Sequence, residues 1–112
     1  MTASWLVTQE KVKIAVDKIV ETARPHKVVL FGSYVRGEMH RHSDLDVLVI
    51  TGDEIDNPRK ESVRIRRALK GIMMPMDIIV VPESWLSEYA DTPGLIYREA
   101  LRNGRVVYDS AA

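Results

Sequence analysis

Apolar positions along this 112-residue chain change period several times, and each change marks an element. From Thr8 to Ala23, Val12, Ala15, Val16, Ile19, Val20 and Ala23 recur at steps of three and four, which predicts a helix with one apolar stripe. Thr8 can cap its start, Glu10 suits the positive end of its dipole, and Pro25 ends it by pushing Arg24 out of the α region. The unbroken run Val28 to Phe31 makes Lys27 to Phe31 a short buried strand, broken by Gly32. Ser33 to Arg36 fits a short helix closed by Gly37, and Glu38 to Ser43 is polar loop. Asp44 to Ile50 is a second strand, apolar after Asp46, as expected of a strand covered on both faces. Asn57-Pro58 is a helix start, an N-cap followed by proline at the first helical position. The helix it opens, Pro58 to Lys70, carries Ile65, Ala68 and Leu69 on one side, and Gly71 stops it. Met76 to Val81 is a third strand ended by Pro82. A short helix, Ser84 to Tyr89, comes next. Thr92-Pro93 then opens another, Pro93 to Asn103, which Gly104 closes, and Arg105 to Tyr108 fits a small final strand.

This element order is that of an α/β domain, a small mixed sheet covered by helices. The length suits one domain spanning residues 1–112. The 16 basic and 16 acidic residues cancel, so nothing global favours a polyanion-binding surface, and direct nucleic-acid binding would need a local patch. The absence of cysteine excludes disulfides and thiolate metal sites. The opening residues, MTASWLVTQEK, lack the basic and apolar regions of a signal peptide, and no apolar run approaches the ~18 residues of a membrane span. These features together lead us to expect a cytoplasmic protein.

The chemistry concentrates between Phe31 and Ile50. Asp44 and Asp46 lie two apart at the mouth of a strand, so they share one face at ~7 Å spacing along it. Two unpaired carboxylates brought to ~4 Å repel by roughly 4 kcal/mol at an intermediate dielectric, a clustering that a cation offsets. Asp77 opens the third strand. If the second and third strands are neighbours, three hard oxygen ligands can converge and suit Mg²⁺. The plainer alternative for Asp77 is a strand-entry residue paired with a nearby arginine. Gly32-Ser33, between a strand and a short helix, lets backbone amides approach a phosphate, although an ordinary tight turn has the same composition. Arg36 either reaches phosphate or holds Asp44 or Asp46 in place through its planar fork, and the structural role is favoured. His40 and His42, in a polar loop without other soft ligands, read as solvated rather than metal-binding. Arg59, Lys60, Arg64, Arg66, Arg67 and Lys70 make one helix basic, either a solvated face or a docking surface for an acidic partner, a triphosphate or RNA. Trp5 and Trp85 fit packing or interface roles rather than base-stacking platforms, and Tyr34, beside the phosphate turn, is ambiguous.

Gly32-Ser33, ten residues, Asp44-Leu45-Asp46 and the later Asp77, with Arg36-Gly37 completing a Gly-Ser-x-x-Arg-Gly form, resemble the minimal nucleotidyltransferases of the DNA polymerase β-like superfamily. The resemblance extends over nearly the whole chain in element order. It implies a polymerase β-like palm fold and metal-dependent transfer of a nucleoside monophosphate from an NTP, ATP above all. Asp44, Asp46 and Asp77 would bind two Mg²⁺ ions and activate the acceptor hydroxyl, while Gly32, Ser33 and Arg36 would hold the triphosphate. Larger relatives carry a helical acceptor-binding domain. Small members pair instead with a helical HEPN-type protein, as antitoxins that adenylylate a tyrosine of a toxic RNase. Two further readings stand beside this one: a partner that neutralises by occlusion without catalysis, and the catalytic subunit of a split small-molecule transferase.

Overall fold

The computed structural model describes residues 6–38, 43–89 and 96–112. Nine elements follow in chain order: α1 (Gln9–Ala23), β1 (Lys27–Phe31), α2 (Ser33–Arg36), β2 (Leu45–Thr51), α3 (Pro58–Ala68), β3 (Met76–Pro82), α4 (Glu83–Tyr89), α5 (Ile96–Asn103) and β4 (Arg105–Asp109). The expected helix start at Thr92-Pro93, and Trp5, His40 and His42, lie outside the described residues.

Local chemistry accounts for the helix ends. Thr8 accepts a hydrogen bond from the Lys11 amide at 3.2 Å, and Asn57 accepts one from the Lys60 amide at 3.2 Å, with Pro58 opening α3. Arg24 leaves the right-handed region as Pro25 demands, but it does so into the left-handed one, at φ 46°. Its amide thereby closes onto Val20 O at 2.9 Å. α2 ends on Gly37 at φ 73°, where the Glu38 amide bonds Ser33 O at 2.9 Å and the Gly37 amide bonds Tyr34 O at 3.3 Å, a Schellman closure.

The four strands form one mixed sheet in the order β3-β2-β1-β4. β1 is antiparallel to β2 and β4, and β2 is parallel to β3, with α3 as the crossover. The central strands are covered on both faces. Val28, Leu30, Val47, Val49, Ile78 and Val80 pack against Val12, Ala15 and Ile19 of α1 and Ile65 of α3. Val29, Phe31, Leu48, Ile50 and Val81 pack against Ala100 of α5 on the opposite face, with Leu86 of α4 beside them. Gly104 turns α5 into β4 where a side chain would strike Ala100 O and approach Val29 Cγ1 at 2.7 Å. No described helix is long and apolar enough to cross a membrane.

Candidate active site

The second strand begins at Leu45, so Asp44 stands just before it, exposed, and Asp46 is its second residue, half-buried. Parallel pairing places Asp46 directly beside Asp77 of β3. Period-two alternation turns both toward the face that carries Leu48, Ile50 and Val81. The same register that seats these apolar side chains in the core thus sets two carboxylates side by side at the sheet's rim.

Antiparallel pairing brings the end of β1 to the same place, with Phe31 opposite Asp46. Gly32 follows at φ 79° and ψ −154°, a region essentially reserved for glycine. A Cβ built there would collide with Asp46 Oδ2 and lie 3.1 Å from Asp46 Cγ. The glycine is therefore needed twice, for its backbone angle and for the close approach of the turn to the carboxylate. Immediately beyond it, Ser33 opens α2, so the amide-lined turn and Asp46 share one rim.

Burial first, then the charges of Asp77 and Asp44, raise the Asp46 carboxyl above its ordinary value, and Arg36 opposes them. The donor set is three carboxylates, hard oxygen ligands whose mutual repulsion a divalent cation relieves, and it fits Mg²⁺ in chemistry. As placed, no three acidic or histidine side chains among the described residues close into a cluster around one point. The structure pairs Asp46 with Asp77 laterally and leaves Asp44 exposed one step away.

Arg36 has partners the sequence did not indicate, whereas Asp77 has the arginine neighbour that its plainer alternative named. Arg36 does not hold Asp44 or Asp46: its Nε donates to Glu38 Oε1 at 2.6 Å, and its Nη1 lies 3.6 Å from Glu99 Oε2. The tight αL turn at Gly37 folds Glu38 back to Arg36, and α5 supplies Glu99 across the second face, so nearer acids capture the guanidinium. The Glu38 hydrogen bond, above all, raises the Arg36 pKa further. Asp77 does have an arginine neighbour. Arg66 Nη2 lies 3.6 Å from Asp77 Oδ1 and donates to Ile78 O at 3.3 Å, while Arg66 Nε donates to Ser62 Oγ at 3.4 Å. Arg66 thus reaches around β3, an edge strand, from the helix on one face to the carboxylate on the other. Its position near the end of a basic helix preceding the third strand was the available signal.

Residues 13–112 match the family described as Polymerase beta, Nucleotidyltransferase. A 30-residue stretch is 50% identical to the protein adenylyltransferase MntA of Shewanella oneidensis, covering 27% of this chain and 22% of that relative. The chain thus aligns with about a fifth of the curated relative's length. Among solved structures, a nucleotidyltransferase from Sulfolobus solfataricus, itself assigned by inference, superposes with a TM-score of 0.63 at 19% identity, over 91% of this chain and 80% of that one. A toxin–antitoxin complex with AMP-PNP superposes with a TM-score of 0.55 at 20% identity, over 88% and 73%. A double Asp→Glu variant of the toxin–antitoxin MntA–HpeT gives 0.55 at 20% identity, over 89% and 73%. With a family match across 13–112 and the polymerase β-like sheet beneath it, the chain belongs to the polymerase β nucleotidyltransferase family.

Proposed function

We propose that this chain transfers AMP from ATP to a hydroxyl of a partner protein, as the antitoxin of a pair whose toxin is a helical HEPN-type protein. The observation that carries the reading is the register Asp46 beside Asp77, with Gly32 pressed against the Asp46 carboxylate. The local identity to a protein adenylyltransferase and the fold shared with toxin–antitoxin structures support the choice of acceptor.

In this reading Asp44, Asp46 and Asp77 would hold two Mg²⁺ ions, which would neutralise charge on the triphosphate and on the leaving pyrophosphate. The chain's own groups do the rest. The turn at Gly32 and Ser33 presents backbone amides to the triphosphate and keeps it beside Asp46. Arg36, fixed by Glu38 and Glu99, adds positive potential at that rim without entering it. Asp77 faces the acceptor and receives its hydroxyl proton. The hydroxyl oxygen forms a bond to the α-phosphorus, the bond to the bridging oxygen breaks, and pyrophosphate departs.

The test is incubation with labelled ATP, Mg²⁺ and the co-purified partner, read by intact mass. Added AMP on the partner, absent with Asp46→Asn, is the expected result. A complex that forms and neutralises the partner without any mass gain would leave occlusion as its mechanism.

A further inference from the structure

We propose that the exposed face of α3 is the docking ridge for the acceptor, and that the acceptor hydroxyl lies within an acidic stretch of polypeptide. The inference rests on the reading that Asp77 faces the acceptor. Arg59, Lys60, Arg66 and Arg67 of α3, with Lys70 just beyond it, are all exposed. At 3.6 residues per turn they fall, together with Val63, within an arc of about 120°, and the stripe runs ~16 Å. The single acid of α3 does not neutralise it. Glu61 is 7% exposed, and Arg64, which lies between it and the stripe, holds it through two hydrogen bonds of 2.9 and 2.8 Å. Among the described residues no acid forms an ion pair with Arg59, Lys60, Arg67 or Lys70. In a chain of zero net charge this is a strong local excess.

The stripe also leads somewhere. Its last helical turn carries Arg66, whose guanidinium touches both Asp77 and the edge of β3. Below Arg66 lies a groove of about 290 Å³ lined by Leu69, Met74, Pro75, Met76 and Ile78. A polypeptide with acidic residues on the stripe and an apolar residue in this groove would reach the β3 edge at Arg66, around which the Asp77 carboxylate lies. Nucleic acid fits less well, because no aromatic side chain stands on the stripe to stack a base and its exposed centre is Val63.

The probes are two fluorescent peptides of equal length with one central tyrosine, flanked by glutamates in one and glutamines in the other, and a single-stranded RNA. Binding is read by anisotropy without ATP. The glutamate peptide is expected to bind ~10-fold or more tightly than the glutamine peptide, with affinity falling as salt rises. Combined Arg59→Glu, Lys60→Glu and Arg67→Glu changes should remove that preference. The matching glutamine changes, which carry no reversal and guard against misfolding, should weaken it partly. Absent or equal peptide binding, indifference to either variant, or tighter binding of the RNA overturns the proposal. Labelling from ATP is then scored separately. Stripe-dependent binding without label keeps the docking ridge and sinks the transfer reading. Equal label on both peptides, with no dependence on the stripe, does the reverse.

Discussion

Gly32 and Asp46 constrain each other more tightly than any other pair in the site. Replacing Gly32 with alanine puts a Cβ into the Asp46 carboxylate and forces a non-glycine residue into a glycine-only backbone region. Gly32→Ala should cost about 1–3 kcal/mol of stability, measured by urea denaturation. It should lower transfer further than that loss explains, because the carboxylate must swing away. Asp46→Asn separates stability from chemistry. The folded state raises the Asp46 pKa above 3.8, so it binds that proton more tightly than the unfolded chain does. The favourable contribution is therefore complete below the unfolded value and is lost as pH rises through the folded one. Asp46→Asn should abolish transfer yet raise the melting temperature at pH 7. The gain should shrink toward zero as the pH falls below the carboxylate range, and a gain independent of pH would contradict the assignment. At this scale the turn and the aspartates were legible from residue type and spacing. The partners of Arg36 were not, because Glu99 is distant in sequence and Glu38 reaches Arg36 only once Gly37 takes its left-handed angle.

Among the elements, β2, α3 and β3 form the unit that brings the aspartates together. Their existence and type follow from apolar period, capping residues and proline positions. Their ends differ from expectation by a residue or two: β2 spans Leu45–Thr51 rather than beginning at Asp44, and α3 ends at Ala68 rather than Lys70. The one-residue shift matters, since it leaves Asp44 outside the ladder and Asp46 within it. Which strands pair, and in which register, was not readable from local pattern, because both apolar strands look alike until a neighbour is chosen. Ile65 fastens α3 to the sheet and is fully buried. Ile65→Ala should destabilise by about 2–5 kcal/mol, with thermal and chemical denaturation agreeing. Thr51, at the far end of β2, offers the opposite change. It is 1% exposed, and its Oγ1 has no hydrogen-bond partner among the described residues. Thr51→Val replaces an unsatisfied hydroxyl with a methyl of similar shape and should stabilise by about 1 kcal/mol, leaving the distant aspartates untouched.

Across the whole molecule, the candidate site joins the carboxyl end of β1, the start of α2 and the openings of β2 and β3. Burial, with the neighbouring charges of Asp77 and Asp44, disfavours the ionised Asp46 in the free protein, a cost that a bound cation would relieve. Linkage turns this into a measurement. A ligand that binds the folded chain alone adds about 2.7 kcal/mol at a hundred times its Kd. For a domain of this size, that raises the melting temperature by on the order of 10 °C. A non-hydrolysable ATP analogue with Mg²⁺ should produce that rise, and either component alone should produce much less, because the triphosphate and the carboxylates repel without the cation between them. Asp46→Asn should begin from a higher melting temperature and lose most of the increment. If the analogue stabilises wild type and variant equally, nucleotide binds elsewhere on the molecule, and the rim formed by Gly32, Asp46 and Asp77 is not its site.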